Sequence, residues 1–269
     1  MFFFVKTDDQ KIAMKIFHFD EINSTNVWLY DKMAENTDIS DMVAVAAHQT
    51  AGRGMDKNRW ESEAGKNLLF SIALNVNFLE AENQFKISQA VSVAIVETLS
   101  QFIDNQQLFI KWPNDIYFGD KKLVGMLIQN TIEGKMMGKT IIGIGLNVNQ
   151  LEFPEYLVNP ISLKMISGKD YDLENLLNLL IINIKNAVES LRFIKNREEI
   201  NSKYISKLYR YQKWAEYVYQ KQVKTLIITG FDKYGRLLLH DKEGAEIVCD
   251  VKELQFCQPS CPPGSGVDV

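Results

Sequence analysis

Histidine and cysteine are scarce: three of each in 269 residues. His18, His48 and His240 form no Ser/His or Cys/His arrangement, so covalent catalysis through an activated serine or cysteine is not expected. Cys249, Cys257 and Cys261 lie together near the C-terminus, an odd number that makes no disulfide framework. Their irregular spacing also argues against a zinc site. No apolar run approaches the length of a membrane span. The opening MFFFVKTDDQ is too short an apolar burst for a signal peptide, which points to the cytoplasm. A surplus of positive charge is missing too. The net charge is −4, a poor footprint for a general nucleic-acid binder, so any basic cluster is local and suits small anions. No internal repeat is visible, and no Gly-Lys-Ser/Thr completes a Walker A loop.

What is present reads as a soluble globular protein, 46% hydrophobic and 24% charged, long enough for one large domain and a small one. Residues 16–19 suggest a first strand. A helix capped by Ser24 or Thr25 follows, with Val27, Leu29, Tyr30 and Met33 near helical spacing. MVAVAAH and NLLFSIAL read as buried strands. QFKISQAVSVAIVETLSQFI has the length and period of a core-facing helix. Strands are expected over 108–112, 123–129 and 140–147, the last two joined by a turn at Glu133-Gly134, then helices over 173–194 and 198–211. From about Trp214 the texture changes to short strands broken by DKYG and DKEG turns, a small all-β unit. The expected architecture is an α+β, mixed-sheet domain over 1–212, a small SH3-like β-barrel over 213–257, and a disordered tail over 258–269.

Three stretches carry chemistry. QTAGRGMDKNRW, residues 49–60, leaves a strand with two glycines bracketing Arg53, adds Lys57, and ends on the flat face of Trp60. A mobile surface loop with solvated charges is the competing reading. KWPNDIYFGDKKLVGMLIQ, residues 111–129, ends a strand in a cation and a Trp-Pro step, which restricts the backbone there. Asn114 and Asp115 then project from a turn. Asp115 suits Mg²⁺, which prefers one or two carboxylates plus phosphate oxygens. Lys111 and Lys122 suit phosphate or carboxylate oxygens, and Gly125 suits close approach of a ligand or another backbone. A plain strand-turn-strand with surface lysines is the alternative. GIGLNVN, residues 143–149, is a strand thinned by two glycines and ending at Asn147. That inventory favours stabilising anionic oxygens with pre-positioned cations and amides, as in phosphoryl or adenylyl transfer.

Together, STN at 24–26, QTAGRG…W, KWPND…KLVGML and GIGLNVN resemble the biotin protein ligase family, and GFDKYGRLLL resembles its C-terminal domain. The resemblance implies an ATP-dependent ligase that makes biotinyl-5′-AMP and transfers the biotinyl group to a lysine of a biotin carboxyl carrier domain. It implies ATP and Mg²⁺ as cofactors. Lys122, Arg53, Asp115 and Lys111 would be catalytic, with Asp115 also the metal ligand. Ser24, Thr25, Asn26, Gln49, Gly52, Arg53, Gly54, Met55, Lys122 and Gly125 would hold biotin. Arg53, Lys57, Trp60, Lys111, Asn114, Lys122 and Asn147 would hold ATP.

Two departures stand out. About fifteen residues precede the first expected catalytic strand, too few for the N-terminal helix-turn-helix of many bacterial members, so a ligase without specific DNA binding is expected. The family loop often reads GRGRRGRxW, whereas Met55, Asp56, Lys57 and Asn58 stand here in place of its later basic residues and glycine. Arg53 with Lys57 is therefore expected to retain the adenylate. A lipoate or octanoate ligase of the same fold and a non-catalytic biotin-binding module are the rival readings. A homodimer is compatible with either.

Overall fold

The apolar runs expected to be strands are strands. In the computed structural model, residues 3–7, 10–35, 38–55 and 58–257 are described. The chain opens with β1 (Phe3–Thr7), β2 (Gln10–Ile22) and α1 (Thr25–Ala34), then β3 (Met42–Gln49), β4 (Leu68–Asn75) and α2 (Phe85–Leu99). Next come β5 (Leu108–Lys111), β6 (Asp115–Phe118), β7 (Lys121–Glu133) and β8 (Met136–Leu146). Helices α3 (Leu163–Ser167), α4 (Leu173–Ser190) and α5 (Ile194–Ser206) complete the first of two compact units, which divide between Lys207 and Leu208.

Eight strands form one sheet in the order β1-β2-β3-β4-β8-β7-β6-β5. Only β2 and β3 run parallel, with α1 as their crossover; every other neighbouring pair is antiparallel. The sheet is therefore mixed. The first expected strand, 16–19, is part of the longer β2, and the edge strand β1 pairs with it from Phe3 to Thr7. The β7–β8 turn falls at Gly134, whose φ of +65° suits a residue without a side chain. The last expected helix begins earlier, at Ile194, and stops at Ser206, short of Tyr211.

Both faces of the sheet's centre are covered, which is why β4 reads as a continuous apolar run rather than an alternation. On one face, Leu29 of α1 packs with Ile39, Met42, Ala44, Ala73 and Ile141. On the other lie α2 and α4, α4 against β4 and α2 against β5 and β6. Among the described residues no helix is long and apolar enough to cross a membrane.

The second unit holds β9 (Trp214–Tyr219), β10 (Gln222–Phe231), β11 (Leu237–His240), β12 (Glu246–Cys249) and β13 (Leu254–Phe256). They form an antiparallel five-stranded sheet, β12-β11-β10-β9-β13. Gly235 and Gly244, both at positive φ, close the DKYG and DKEG turns. Cys249 is buried there, and burial pushes its thiol up to about 11, so it stays protonated and inert at neutral pH. The tail expected over 258–269 lies outside the described residues.

Candidate functional site

Register builds the site from a row of residues that face the same way. Lys111 pairs with Asp115, Asp115 with Gly125, Gly125 with Gly145, and Gly145 with Leu69. Side chains alternate along a strand, so partners in such a row share a face. Two adjacent glycines leave a strip of bare backbone in the middle of the sheet. The next row on the same face holds Leu127, Gly143 and Ser71. It lies about 7 Å further along β8, two residues at a strand's rise.

The Gly143 row meets the N-terminus of α1. Thr25, Asn26 and Leu29 share the buried face of that helix. Its first two residues are polar, and both are engaged. Gln49, at the end of β3, accepts on Oε1 from the Thr25 backbone N–H at 2.7 Å and from its hydroxyl at 3.1 Å. Since the Thr25 hydroxyl donates to Gln49, the Ser71 hydroxyl 2.8 Å away is the donor to it. Asn26 Nδ2 donates to the Leu127 carbonyl at 3.3 Å, and a methyl at Gly143 would sit 2.7 Å from that nitrogen. Ser24 is buried as the N-cap residue, but its side chain makes no cap bond. Gln49→Leu would strip both Thr25 donors of the one Oε1 acceptor they share. Urea unfolding is expected to show a loss of about 1–3 kcal/mol, the cost of leaving buried donors unpaired. An unchanged midpoint would show that water replaces the amide.

The glycine-arginine loop folds back on itself as a short ladder. Gly54 donates to the Asn58 carbonyl at 2.8 Å, Arg53 and Arg59 pair as an antiparallel bridge, and Trp60 donates to the Gly52 carbonyl at 3.1 Å. A methyl at Gly52 would collide with the Trp60 carbonyl oxygen. Met55 is half-buried near the tip, whereas Asp56 and Lys57 lie outside the described residues. Arg53 is exposed.

This ladder returns the Trp60 indole to the glycine strip. A methyl at Gly125 would lie 2.7 Å from Cζ3, and one at Gly145 2.6 Å from Cδ2 and Nε1. The close approach that Gly125 permits is therefore made by Trp60. Its Nε1 is buried with no hydrogen-bond partner among the described residues.

At the Asp115 end of the strip, Lys122 Nζ sits 2.9 Å from Asp115 Oδ1 and 5.7 Å from the Trp60 ring centroid. The pair is partly exposed, 33% for Lys122 and 17% for Asp115. Such pairs are worth about 1 kcal/mol or less, so an incoming anion can take the ammonium at small cost. Lys111 donates to the Tyr117 hydroxyl at 2.9 Å and lies 4.7 Å from that ring. Asn114 braces the β6–β7 pairing instead of projecting, since its side-chain amide donates to the Met126 carbonyl and its own carbonyl accepts from Met126 N–H at 2.9 Å. Asn147 donates from Nδ2 to the Ile161 carbonyl at 3.1 Å, while its buried Oδ1 has no partner among the described residues.

The fold thus gathers Thr25, Asn26, Gln49, Trp60, Asp115, Lys122 and Gly125 on one face, and it leaves Arg53 on an exposed loop. Ser71 and Gly145 were missed as site residues. The two-residue spacing of the glycines in GIGLNVN was the signal for Gly145; Ser71 had none. As a metal centre the site offers the single carboxylate of Asp115, already held by Lys122, and no cluster of three His, Cys, Asp or Glu exists among the described residues. That fits a cation carried in by phosphates, not one caged by protein alone.

The mixed sheet thus carries a glycine strip with a cation at its Asp115 end and amides along the next row, groups able to hold an anion and a polar ring. The profile of the biotin/lipoate A/B protein ligase family matches residues 18–147. The bifunctional ligase/repressor BirA of Escherichia coli is 29% identical over 228 residues, covering 81% of this chain and 67% of that protein. BirA of Bacillus spizizenii is 34% identical over 156 residues, covering 57% of this chain and 47% of its own length. The chain thus spans about half to two thirds of these two relatives. The biotin protein ligase of Aquifex aeolicus, solved with biotin and ATP, superposes with a TM-score of 0.72 at 26% identity over 91% of this chain and 99% of that one. Over residues 18–147 the chain is thus similar to the biotin/lipoate A/B protein ligase family, and its fold is similar to that of the Aquifex biotin protein ligase.

Proposed function

We propose that this chain activates biotin with ATP and transfers it to a lysine of a biotin carboxyl carrier domain. The observation that carries this reading is the glycine strip, flanked by the Thr25–Asn26–Gln49 cluster on the next row and by the Lys122–Asp115 pair at its β6 end. A ureido ring needs donors and acceptors; a valerate tail needs an apolar bed; its carboxylate needs a cation.

In the first step a biotin carboxylate oxygen attacks the α-phosphorus of ATP, and the bond to pyrophosphate breaks. The two reactants are both anions. Lys122 leaves Asp115 for the oxygens between them and neutralises charge that grows in the transition state. Lys111 and Arg53 add positive charge at the phosphates, with Lys57 beside them on the same loop. Mg²⁺, held mainly by phosphate oxygens with Asp115 as the protein's carboxylate, would supply further charge neutralisation. Ser24, Thr25, Asn26 and Gln49 hold the ring, while Gly52, Gly54 and Met55 line the chain's path and Gly125 seats the Trp60 indole beside it. Trp60 packs at the nucleotide end, and Asn114 and Asn147 supply amides there. In the second step a lysine amine attacks the mixed anhydride carbonyl, AMP leaves, and Asp115 takes the proton.

Among ligases of this fold, the polar cluster favours biotin over a lipoyl or octanoyl chain, because an apolar head offers the Asn26 and Gln49 amides nothing in place of water. Purified chain with ATP and Mg²⁺ should exchange labelled pyrophosphate into ATP with biotin and not with lipoate. An apo carrier domain should gain one biotinyl group by intact mass. Exchange without biotin, or only with lipoate, would sink the assignment. Exchange without carrier labelling would sink the acceptor alone.

A further inference from the structure

We propose that Gly145 is a positioning residue for adenylation, acting on Lys122 through the Trp60 indole; this rests on the ligase reading above. Gly145 lies in β8, between β4 and β7. Ile144 and Leu146 on either side of it are buried, and a β-branched residue would serve such a strand better. Glycine there weakens the strand unless something needs the space.

Trp60 needs it. The five-membered ring lies over Gly145, where a methyl would be 2.6 Å from both Cδ2 and Nε1. The six-membered ring lies over Gly125, where a methyl would be 2.7 Å from Cζ3 and 3.1 Å from Cε3. The indole therefore spans two strands, one ring on each. Neither neighbour can yield easily, because one side of the contact is sheet backbone and the other a rigid bicycle. Lys122 runs along the Gly125 edge of the same ring: its Cε would be 3.2 Å from a Gly125 methyl, and its ammonium is 5.7 Å from the ring centroid.

A side chain at Gly145 meets the five-membered ring, on the far side from that lysine edge. Its effect on the cation must pass through the ring. Lifting the five-membered edge tilts the indole toward Lys122 and pulls on the Trp60–Gly52 bond that closes the loop. A displacement near 1 Å at a reacting group can cost roughly 100-fold in rate.

The test is a four-member cycle: wild type, Gly145→Ala, Trp60→Ala and the double variant. Biotin-dependent pyrophosphate exchange is expected to fall ~10- to 100-fold in Gly145→Ala. In the Trp60→Ala background the same substitution should change exchange by no more than about two-fold, since nothing is left to displace. Emission of Trp60, taken as the difference between each chain and its Trp60→Ala partner, should shift to longer wavelength in Gly145→Ala as the ring leaves its seat. Additive losses, or an unshifted emission in a folded Gly145→Ala chain, would overturn the proposal. If circular dichroism shows that Gly145→Ala does not fold, Gly125→Ala carries the emission test from the other ring edge, with the same expected shift and the same contrary outcome. Absence of exchange in the wild type would remove the ligase reading and the catalytic half of this proposal, while the emission arm would still decide whether the glycines seat Trp60.

Discussion

Lys122→Ala is expected to slow biotin-dependent pyrophosphate exchange by ~10²-fold or more, the usual effect of losing one donor aimed at developing charge. The fold should tolerate the change. The Lys122 backbone donates to the Asn159 carbonyl at 2.8 Å and accepts from Ile161 N–H at 3.0 Å, bonds that do not depend on the side chain. What the variant loses in stability is the Asp115 pair, about 1 kcal/mol or less for a contact so open to solvent. It also leaves Asp115 facing two anionic substrates without its counter-charge, which adds to the kinetic defect. Lys122→Arg keeps the charge but spreads it over a planar fork, so recovery should be partial. Exchange within a few-fold of wild type in a folded Lys122→Ala chain would remove the ammonium from the mechanism.

The largest expected effect on stability lies on the opposite face of the same sheet. Phe70 is fully buried in β4, paired with Val45 of β3 and Ile144 of β8. Its neighbour Ser71 faces the site, so alternation turns Phe70 toward the side covered by α4. Phe70→Ala removes a whole ring from a layer held between sheet and helices that cannot close the gap. The expected loss is about 3–5 kcal/mol in urea unfolding. That is a large share of a domain's typical ~5–15 kcal/mol. Ser71→Ala, one residue along, should cost about 1 kcal/mol, because it deletes a single hydrogen bond to Thr25. If the two variants unfolded alike, the division of the sheet into a structural face and a site face would be wrong.

Much of this was legible without coordinates. A lysine, a Trp-Pro step and a carboxylate at a strand end have no use in a core, and they marked the Lys111–Lys122 region. Ser-Thr-Asn before an apolar helical stretch marked the start of α1. The glycines of GIGLNVN were read as thinning a strand, though their two-residue spacing also puts both on one face. The start of the chain was less readable. The segment before Ile16 was read only as too short for a signal peptide or a helix-turn-helix, yet it supplies β1 and about half of β2, because an edge strand needs only one partner. Asn114 looked like a projecting ligand group; its place in the β6–β7 pairing turns its amide onto Met126 instead.

Local chemistry therefore settled which residue types were available: the cations, the amides, the strand and helix periods. Those properties follow from each residue and its near neighbours. Tertiary structure alone decided which of them meet. Thr25 and Ser71 are 46 positions apart, and only the crossover of α1 over β4 brings their hydroxyls to 2.8 Å. Trp60 reaches Gly125 and Gly145 because the loop ladder turns it back and the register of β7 with β8 aligns two glycines that share no sequence neighbourhood. Register is a property of pairing, set by the whole sheet at once, and so the site's flat floor appears only when the strands are side by side.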